Sequence, residues 1–411
     1  MKRSLKVITV EEVFSHYNSF PVINTEEIPL LEGYNRILAE DVTSTTNIPD
    51  FDRSIVDGYA VLAKDTDNAS ETNPLYFELI GEVLMGEKTD ISLGNGLTAR
   101  VATGGMLPIN ADAVVMTEYT QDIGNGKIEI NRPISKLENV ILMGEDIKNG
   151  ETILKKGHCL RPPDLGALAA IGCSKLTVFK KLRVALISTG DEVIDVDQLP
   201  APGQVRDINH YTIDASLKKI GAIPLFIGII KDCLGDLCEA VEKAIEQADL
   251  VIISGSSSVG TRDYVIDVIN SFPNHKILVH GISVRPGKPT IIGDINGKPI
   301  IGLPGHPAST MVIFNIFLIP LIRKISGYKT SPIDDIFYKA ILTRSISAFP
   351  GRTEYIRVKI EQREGRLYAE PILGKSGLIS TLVKAQGLLK IDMDTEGIEK
   401  GNIVDVIPFP L

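Results

Sequence analysis

The chain has 411 residues, 44% of them hydrophobic and 23% charged, a globular usage that excludes disordered and membrane-embedded classes and leaves room for two to four domains. Asp and Glu outnumber Lys and Arg by 52 to 43, a formal charge of −9 that repels phosphate backbones and anionic lipid on average, so no nucleic acid and no membrane is expected as a partner. A local group of cations can still hold a small anion inside a pocket.

The first residues, MKRSLKVITVEEVF, are basic but lack the long apolar core of a signal peptide, and a cytoplasmic location is expected. Thr9 and Glu12 have capping-box spacing and predict a short helix over TVEEVFSHY. From about Ile28 to Asn47 the chain reads as an extended connector. Residues 50 to 147 hold short β-type runs, YFELIGEV, TARVAT, AVVMTEY and KIEINRP, separated by turn residues, which predicts a small all-β unit. A second connector begins at Asn149-Gly150 and leads to a small-residue helix, PPDLGALAAIG, suited to lie against another copy of the chain.

From Leu182 strands alternate with helical patterns: RVALIST, YTIDASLKKIGA, PLFIGII, LGDLCEAVEKAIEQA, DLVIISG, DYVIDVINSF, KILVHGI and PIIGLPG. This alternation predicts a parallel sheet covered by helices on both faces. A long apolar helix from about Ala308 to Ile325 closes the unit; its strongest stretch, Met311 to Ile322, is too short to span a bilayer and contains Asn315 and Pro320, so a core helix is expected. After Ser331-Pro332 the runs YKAILTRSI, EYIRVKIEQ, LYAEPIL and NIVDVIPF predict a C-terminal β-barrel or sandwich. Cys159, Cys173, Cys233 and Cys238 fall in neither CxxC pairs nor a zinc spacing, which predicts free buried thiols.

In an open α/β sheet, ligands bind beyond the carboxyl ends of the strands. Four motifs sit there: STGDE (Ser188 to Glu192), Asp232, the loop SGSSSVGTRD (Ser254 to Asp263) and LPGHP (Leu303 to Pro307). The Ser/Gly loop, with Ser254, Gly255 and Ser258, offers backbone N–H groups and hydroxyls suited to phosphate, although such a turn is more often structural. Glu192, Asp232 and Asp263 supply hard carboxylate oxygens of the kind that hold Mg²⁺; singly, each reads as a capping or solvated side chain. Arg285 and Lys288 flank a Pro-Gly turn in VRPGKPT and make an anion site beside a phosphate loop. No HExxH pair, GxSxG elbow, P-loop or GxGxxG fingerprint occurs.

FDRSIVDGYA (Phe51 to Ala60), RVATGGMLP (Arg100 to Pro108), GEDI (Gly144 to Ile147), STGDE, SGSSSVGTRDY, RPGKPT and GLPGHP, in this order, resemble MoeA-type molybdopterin molybdenumtransferases, the family that includes the gephyrin E domain. The resemblance spans essentially the whole chain. It implies an α/β multidomain fold: a central parallel α/β domain of molybdopterin-binding type (1–24 with 176–328), a connector and dimerisation domain (25–46 with 148–175), an inserted β domain (47–147) and a C-terminal β-barrel (329–411). It further implies a homodimer that inserts molybdate, or tungstate, into adenylylated molybdopterin with Mg²⁺ and releases AMP, with contact to the molybdopterin adenylyltransferase.

By motif, the resemblance gives Asp57, Thr103 and Asp146 to the cleft from the inserted domain, in the family that of the partner subunit. Glu192, Asp232 and Asp263 hold Mg²⁺ or order the pyrophosphate. Ser254, Arg285 and Lys288 contact phosphate or oxyanion, Pro304 and Pro307 shape the loop beneath, and Arg352 and Ser380 approach from the C-terminal domain. The sequence departs from the family pattern in Ser256 for Gly, Arg285 for Lys and His306 for Asn. Two other readings are a CinA-like nucleotide pyrophosphatase and a non-catalytic pterin-binding scaffold.

Overall fold

The computed structural model describes residues 6–255, 264–329 and 337–409. Its largest unit is a six-stranded sheet of β1 (Arg183–Thr189), β2 (Ile223–Ile230), β3 (Leu250–Ser254), β4 (His275–His280), β5 (Ile291–Ile295) and β6 (Lys298–Leu303), in the order β2-β1-β3-β6-β5-β4. The first four in that order run parallel, as the alternating pattern predicts. The last two reverse in turn. The cause of the reversal is local. Asn296 and Gly297 both take positive φ, the conformation of a two-residue hairpin turn, and they join β5 to β6 directly, so no crossover is possible there. Two reversals leave β4 pointing the same way as the parallel strands.

Side chains alternate across these strands and sort into two cores. Val184, Leu186, Leu250, Ile252, Ile301 and Leu303 pack on one face with the helix Asn209–Lys219, the long helix from Pro307 to Ile325 and the N-terminal segment. Ala185, Ile187, Val251, Ile253 and Ile300 pack on the other with the helices Leu234–Gln247 and Tyr264–Ser271. A sheet buried on both faces explains why its strands read as continuous apolar runs. The long helix has the length and hydropathy of a membrane span, yet 72% of its apolar window is buried in this core. Over Phe314–Leu318 it widens to π geometry, just ahead of Pro320, whose missing N–H and ring disturb the regular ladder.

Val10–His16 is a helix whose cap is reciprocal: Thr9 Oγ1 accepts from the Glu12 N–H, and Glu12 accepts from the Thr9 N–H. It docks on the long helix through a Phe14–Phe317 stack at 5.6 Å and a hydrogen bond from the Tyr17 hydroxyl to the Phe317 carbonyl. Burial pushes that hydroxyl's pKa well up.

The connector pairs Thr25–Pro29 with Lys175–Phe179 and Val42–Thr43 with Thr152–Leu154, around Leu38, Leu160, Leu168 and Val178. The expected division between 175 and 176 therefore cuts a strand, and the connector extends to Phe179. The segment between carries a six-stranded mixed sheet in which Gly58–Val61 lies between Leu97–Val101 and Ala113–Met116. The C-terminal strands close into a ring: Thr353–Arg363, Arg366–Pro371, Tyr338–Leu342, Ile403–Pro408 and Gly387–Ile391, the last returning to the first. A barrel is thus the outcome, and closure leaves these five strands no free edge. The short strand Val284–Arg285 joins from outside, parallel to Thr353–Glu354. The cysteines depart from expectation: Cys233 is exposed at a helix cap, and the other three are half-buried, Cys173 and Cys238 at the margins of the connector and α/β cores.

Candidate active site

Strands β1, β2, β3, β4 and β6 all end on one edge, and that edge collects the expected motifs. At the end of β1, the buried Thr189 donates its hydroxyl to Asp232 Oδ1 at 2.8 Å, beyond β2. The Asp232 N–H in turn points at Asp191 Oδ1, 3.3 Å away. Glu192 is exposed in the same turn. Gly190 has φ +144°, and a Cβ there would come within 2.9 Å of the Glu192 carboxylate, so glycine lets the backbone turn back under that side chain.

At the end of β3, Ser254 is buried and its hydroxyl accepts from Asn209 Nδ2 at 2.8 Å; the same amide reaches the Gly305 carbonyl at 2.9 Å. Gly255 follows at φ +102°, and a Cβ would lie 2.1 Å from the Thr189 carbonyl oxygen. No residue with a side chain can occupy that position without moving β1. Ser258 and Asp263 lie outside the described residues, as does Ser256. Asp263 is the third member of the expected metal set, and among the described residues no three His, Cys, Asp or Glu side chains gather around a metal-sized space.

At the end of β6, Pro304 is buried and its carbonyl accepts from the Thr310 hydroxyl, while Pro307 opens the long helix. The intervening His306 is fixed by Ser376 of the C-terminal domain, with Nδ1 and Oγ 3.0 Å apart, and the Ala308 N–H donates to the Ser376 carbonyl. Beyond β4, Arg285 Nη1 donates to Glu354 Oε1 of the barrel at 3.3 Å. Arg352 Nε stands 3.5 Å from the same oxygen, but off the line of a hydrogen bond. Both guanidiniums lie 5.9 Å from the Phe349 ring centroid. Two cations expected from separate motifs are thus brought together. Lys288 is exposed and joins no ion pair among the described residues. Ser380 begins a single-turn helix, Ser380–Val383, on the exposed side of the barrel.

In the inserted domain, Asp57 and Thr103 are bonded to each other: Asp57 Oδ1 accepts from the Thr103 N–H at 2.7 Å and from its hydroxyl at 2.9 Å. The Thr103 amide first and its hydroxyl second hold the Asp57 carboxyl below the usual carboxylate range. Both side chains stay exposed. Asp146 is exposed too, anchored by its N–H to the Ile48 carbonyl. Among the described residues, no hydrogen bond or ion pair joins these three to the strand-end groups of the same chain.

Two buried polar groups were not anticipated. Asp207 takes the Ser188 hydroxyl and the His210 N–H, and Asn209 bridges Ser254 to Gly305. Both lie in VRDINH, where Asp207 stands two residues ahead of the helix and Asn209 is its first residue; an Asp ahead of the first helical residues signals a cap. A cavity of about 380 Å³ lies elsewhere: it runs between the helix Asn209–Lys219, the long helix and Ile379–Val383, with Met311, Phe314 and Phe409 among its walls. It is apolar and has none of the chemistry of the strand-end edge.

The comparisons with known proteins fall along this architecture. Residues 8–172 match the family model described as MoeA N-terminal region (domain I and II), residues 185–324 the probable molybdopterin binding domain, and residues 339–409 the MoeA C-terminal region (domain IV). The molybdopterin molybdenumtransferase of Bacillus subtilis is 33% identical over 93% of this chain and 89% of its own, and that of Staphylococcus aureus is 31% identical over 97% and 94%. Among solved structures, a molybdopterin biosynthesis MoeA protein from Pyrococcus horikoshii aligns at a TM-score of 0.83 with 37% identity, covering 98% of this chain and 99% of that one. A match of all four domains in order does not favour the single-domain pyrophosphatase reading. This chain belongs to the MoeA family of molybdenum cofactor biosynthesis proteins.

Proposed function

We propose that this chain, as a homodimer, inserts molybdate or tungstate into adenylylated molybdopterin and releases AMP. The observation that carries the reading is the edge where Ser254, Asp232, Glu192 and the Arg285–Arg352 pair stand at the ends of neighbouring strands and their attached loops. A pyrophosphate and an oxyanion are both polyanions, and cleaving or exchanging them requires neutralisation of oxygen charge more than a protein nucleophile. Guanidinium forks suit tetrahedral oxyanions because they donate paired, planar N–H bonds. The backbone N–H groups after Ser254 would meet phosphate, and Lys288 would add a mobile point charge.

Mg²⁺ fits the donors present. Asp232 spends one oxygen on Thr189 and keeps the other, and the exposed Glu192 adjoins Asp191, whose carboxylate faces the Asp232 N–H; these are hard oxygen ligands of the kind this ion takes. Bound there, it would neutralise phosphate oxygens. Asp57, held ionised by Thr103, and Asp146 would enter the cleft from the partner subunit, since among the described residues no bond ties them to the strand-end edge of their own chain. There Asp57 would accept a proton or position a water.

The test is AMP release from purified protein supplied with adenylylated molybdopterin and Mg²⁺, with and without molybdate, with the product assayed by reconstitution of an apo-molybdoenzyme. Molybdate-dependent AMP release and active product are expected. A folded dimer that binds the pterin but yields neither would establish the scaffold reading instead.

A further inference from the structure

The carboxylate between the two arginines has a role of its own. Glu354 is the second residue of the strand Thr353–Arg363 and Arg352 directly precedes that strand, its Nε 3.5 Å from the Glu354 carboxylate. Parallel pairing sets Arg285 directly opposite Glu354. The three side chains therefore form one cluster built from two domains, with one carboxylate serving two cations. Their exposure is uneven: Glu354 is 3% exposed at the side chain, Arg285 52% and Arg352 37%. The negative charge is sealed beneath, and the two positive heads face outward over the Phe349 ring.

Two guanidiniums this close repel each other, and exposed arginines on a surface sample many rotamers. A buried anion beneath both offsets the repulsion, holding Arg285 by a hydrogen bond and Arg352 by charge. The cluster keeps a net positive charge with its two guanidiniums already placed side by side over Phe349, and such preorganisation strengthens an anion site.

We infer that Glu354 is a positioning residue for oxyanion binding: it holds Arg285 and Arg352 as a preformed pair that receives the tetrahedral oxyanion substrate. The inference rests on the proposed insertase reading. It makes a prediction opposite to simple charge counting. Removing a negative charge beside an anion site would by Coulomb's law strengthen binding, whereas loss of the preformed pair weakens it.

The experiment is equilibrium binding of molybdate and of tungstate to the full-length protein, by calorimetry, for wild type, Glu354→Gln, Glu354→Asp and Arg352→Ala, with thermal unfolding of each variant in parallel. We expect Glu354→Gln to weaken oxyanion binding about tenfold or more with unfolding little changed, Arg352→Ala to do the same, and Glu354→Asp to recover part of the loss, because the charge returns. In the turnover assay the Gln variant should raise the KM for molybdate more than it lowers kcat. If wild type binds and Glu354→Gln binds equally or more tightly, the positioning role is wrong and the insertase reading stands. If wild type binds neither oxyanion, both fall. A Gln variant whose binding loss merely tracks a lowered unfolding temperature, with no rescue by Asp, would make Glu354 a domain clip only and overturn the inference.

Discussion

The Asp57–Thr103 pair shows how a single exposed carboxylate is held in one protonation state. Two bonds from Thr103 favour the charged form, so the carboxyl stays ionised to lower pH than an ordinary Asp. Thr103→Val removes the hydroxyl bond, and the Asp57 titration followed by NMR should move upward toward the ordinary value; an unchanged midpoint would mean the amide alone sets it. Asp57→Asn should abolish AMP release while leaving the fold intact, as judged by circular dichroism. Both residues were legible as motifs. Their contact was not, because they are 46 positions apart and only sheet pairing brings them together. Asp207 and Asn209 escaped notice for a simpler reason: the helical pattern was read from Tyr211, whereas the helix starts at Asn209, which left the capping Asp inside an apparent loop. Glu354 was hidden by its strand, where an acidic residue two after an Arg looks like a solvated face; its burial is created by the short strand from another domain.

At the level of elements, the sequence conveyed type and order better than direction. The helices and most strands of the α/β unit were readable from periodicity, but the run PTIIGDINGKPI conceals a hairpin whose Asn-Gly turn reverses the sheet. That dipeptide is a strong hairpin signal, and it was outweighed by the expectation of alternating strands and helices. Tight approaches between elements can be tested by adding one methyl group. Gly255→Ala places a Cβ against the Thr189 carbonyl at positive φ, so a loss of about 3 kcal/mol in stability is expected in denaturant unfolding. The connector helix Pro162–Ala170 offers an electrostatic counterpart. Burial would push the Asp164 carboxyl up, but bonds from Arg161 and His158 outweigh it and hold the group well below the usual range. A depressed carboxylate stabilises the fold above its unfolded pKa, near 4, and that contribution disappears as pH falls below it. Hydrogen exchange of this helix, taken relative to the intrinsic rate at each pH, should therefore quicken on acidification below about pH 4 in wild type. In Asp164→Asn it should be fast already at neutral pH and vary less with acid.

The whole molecule is discontinuous: the connector and the inserted domain interrupt the α/β unit, and the proposed site would draw on residues from three domains. Strand texture marked the α/β unit and the β-rich stretches on either side of it, but the expected boundary at 175/176 falls inside the strand Lys175–Phe179. What texture could not supply was the join between the α/β unit and the barrel. There the Thr353 N–H bonds to the Ser283 carbonyl, His306 meets Ser376, and Arg285 meets Glu354. If Asp57 acts in the partner's cleft, inactive subunits should rescue each other. Mixing equal amounts of Asp57→Asn and Asp232→Asn protein, after dissociation and reassociation, should restore about a quarter of wild-type AMP release, since half the dimers would be mixed and each would hold one intact site. Absence of recovery in demonstrably mixed dimers would place the whole site within one chain.

The interruption also bears on synthesis. Tyr17 and its partner Phe317 are 300 residues apart, and Val10, Val13 and Phe20 belong to the same core. At roughly 5–20 residues per second, the first helix leaves the ribosome about 15 to 60 s before the surface that buries it exists. During that interval the connector and the inserted domain can fold as units of their own, while Phe14 and Tyr17 remain uncovered on the nascent chain. The opening segment is thus the last part of its domain to find its place, and the period of greatest exposure to chaperones and proteases is set by the length of what was inserted after it.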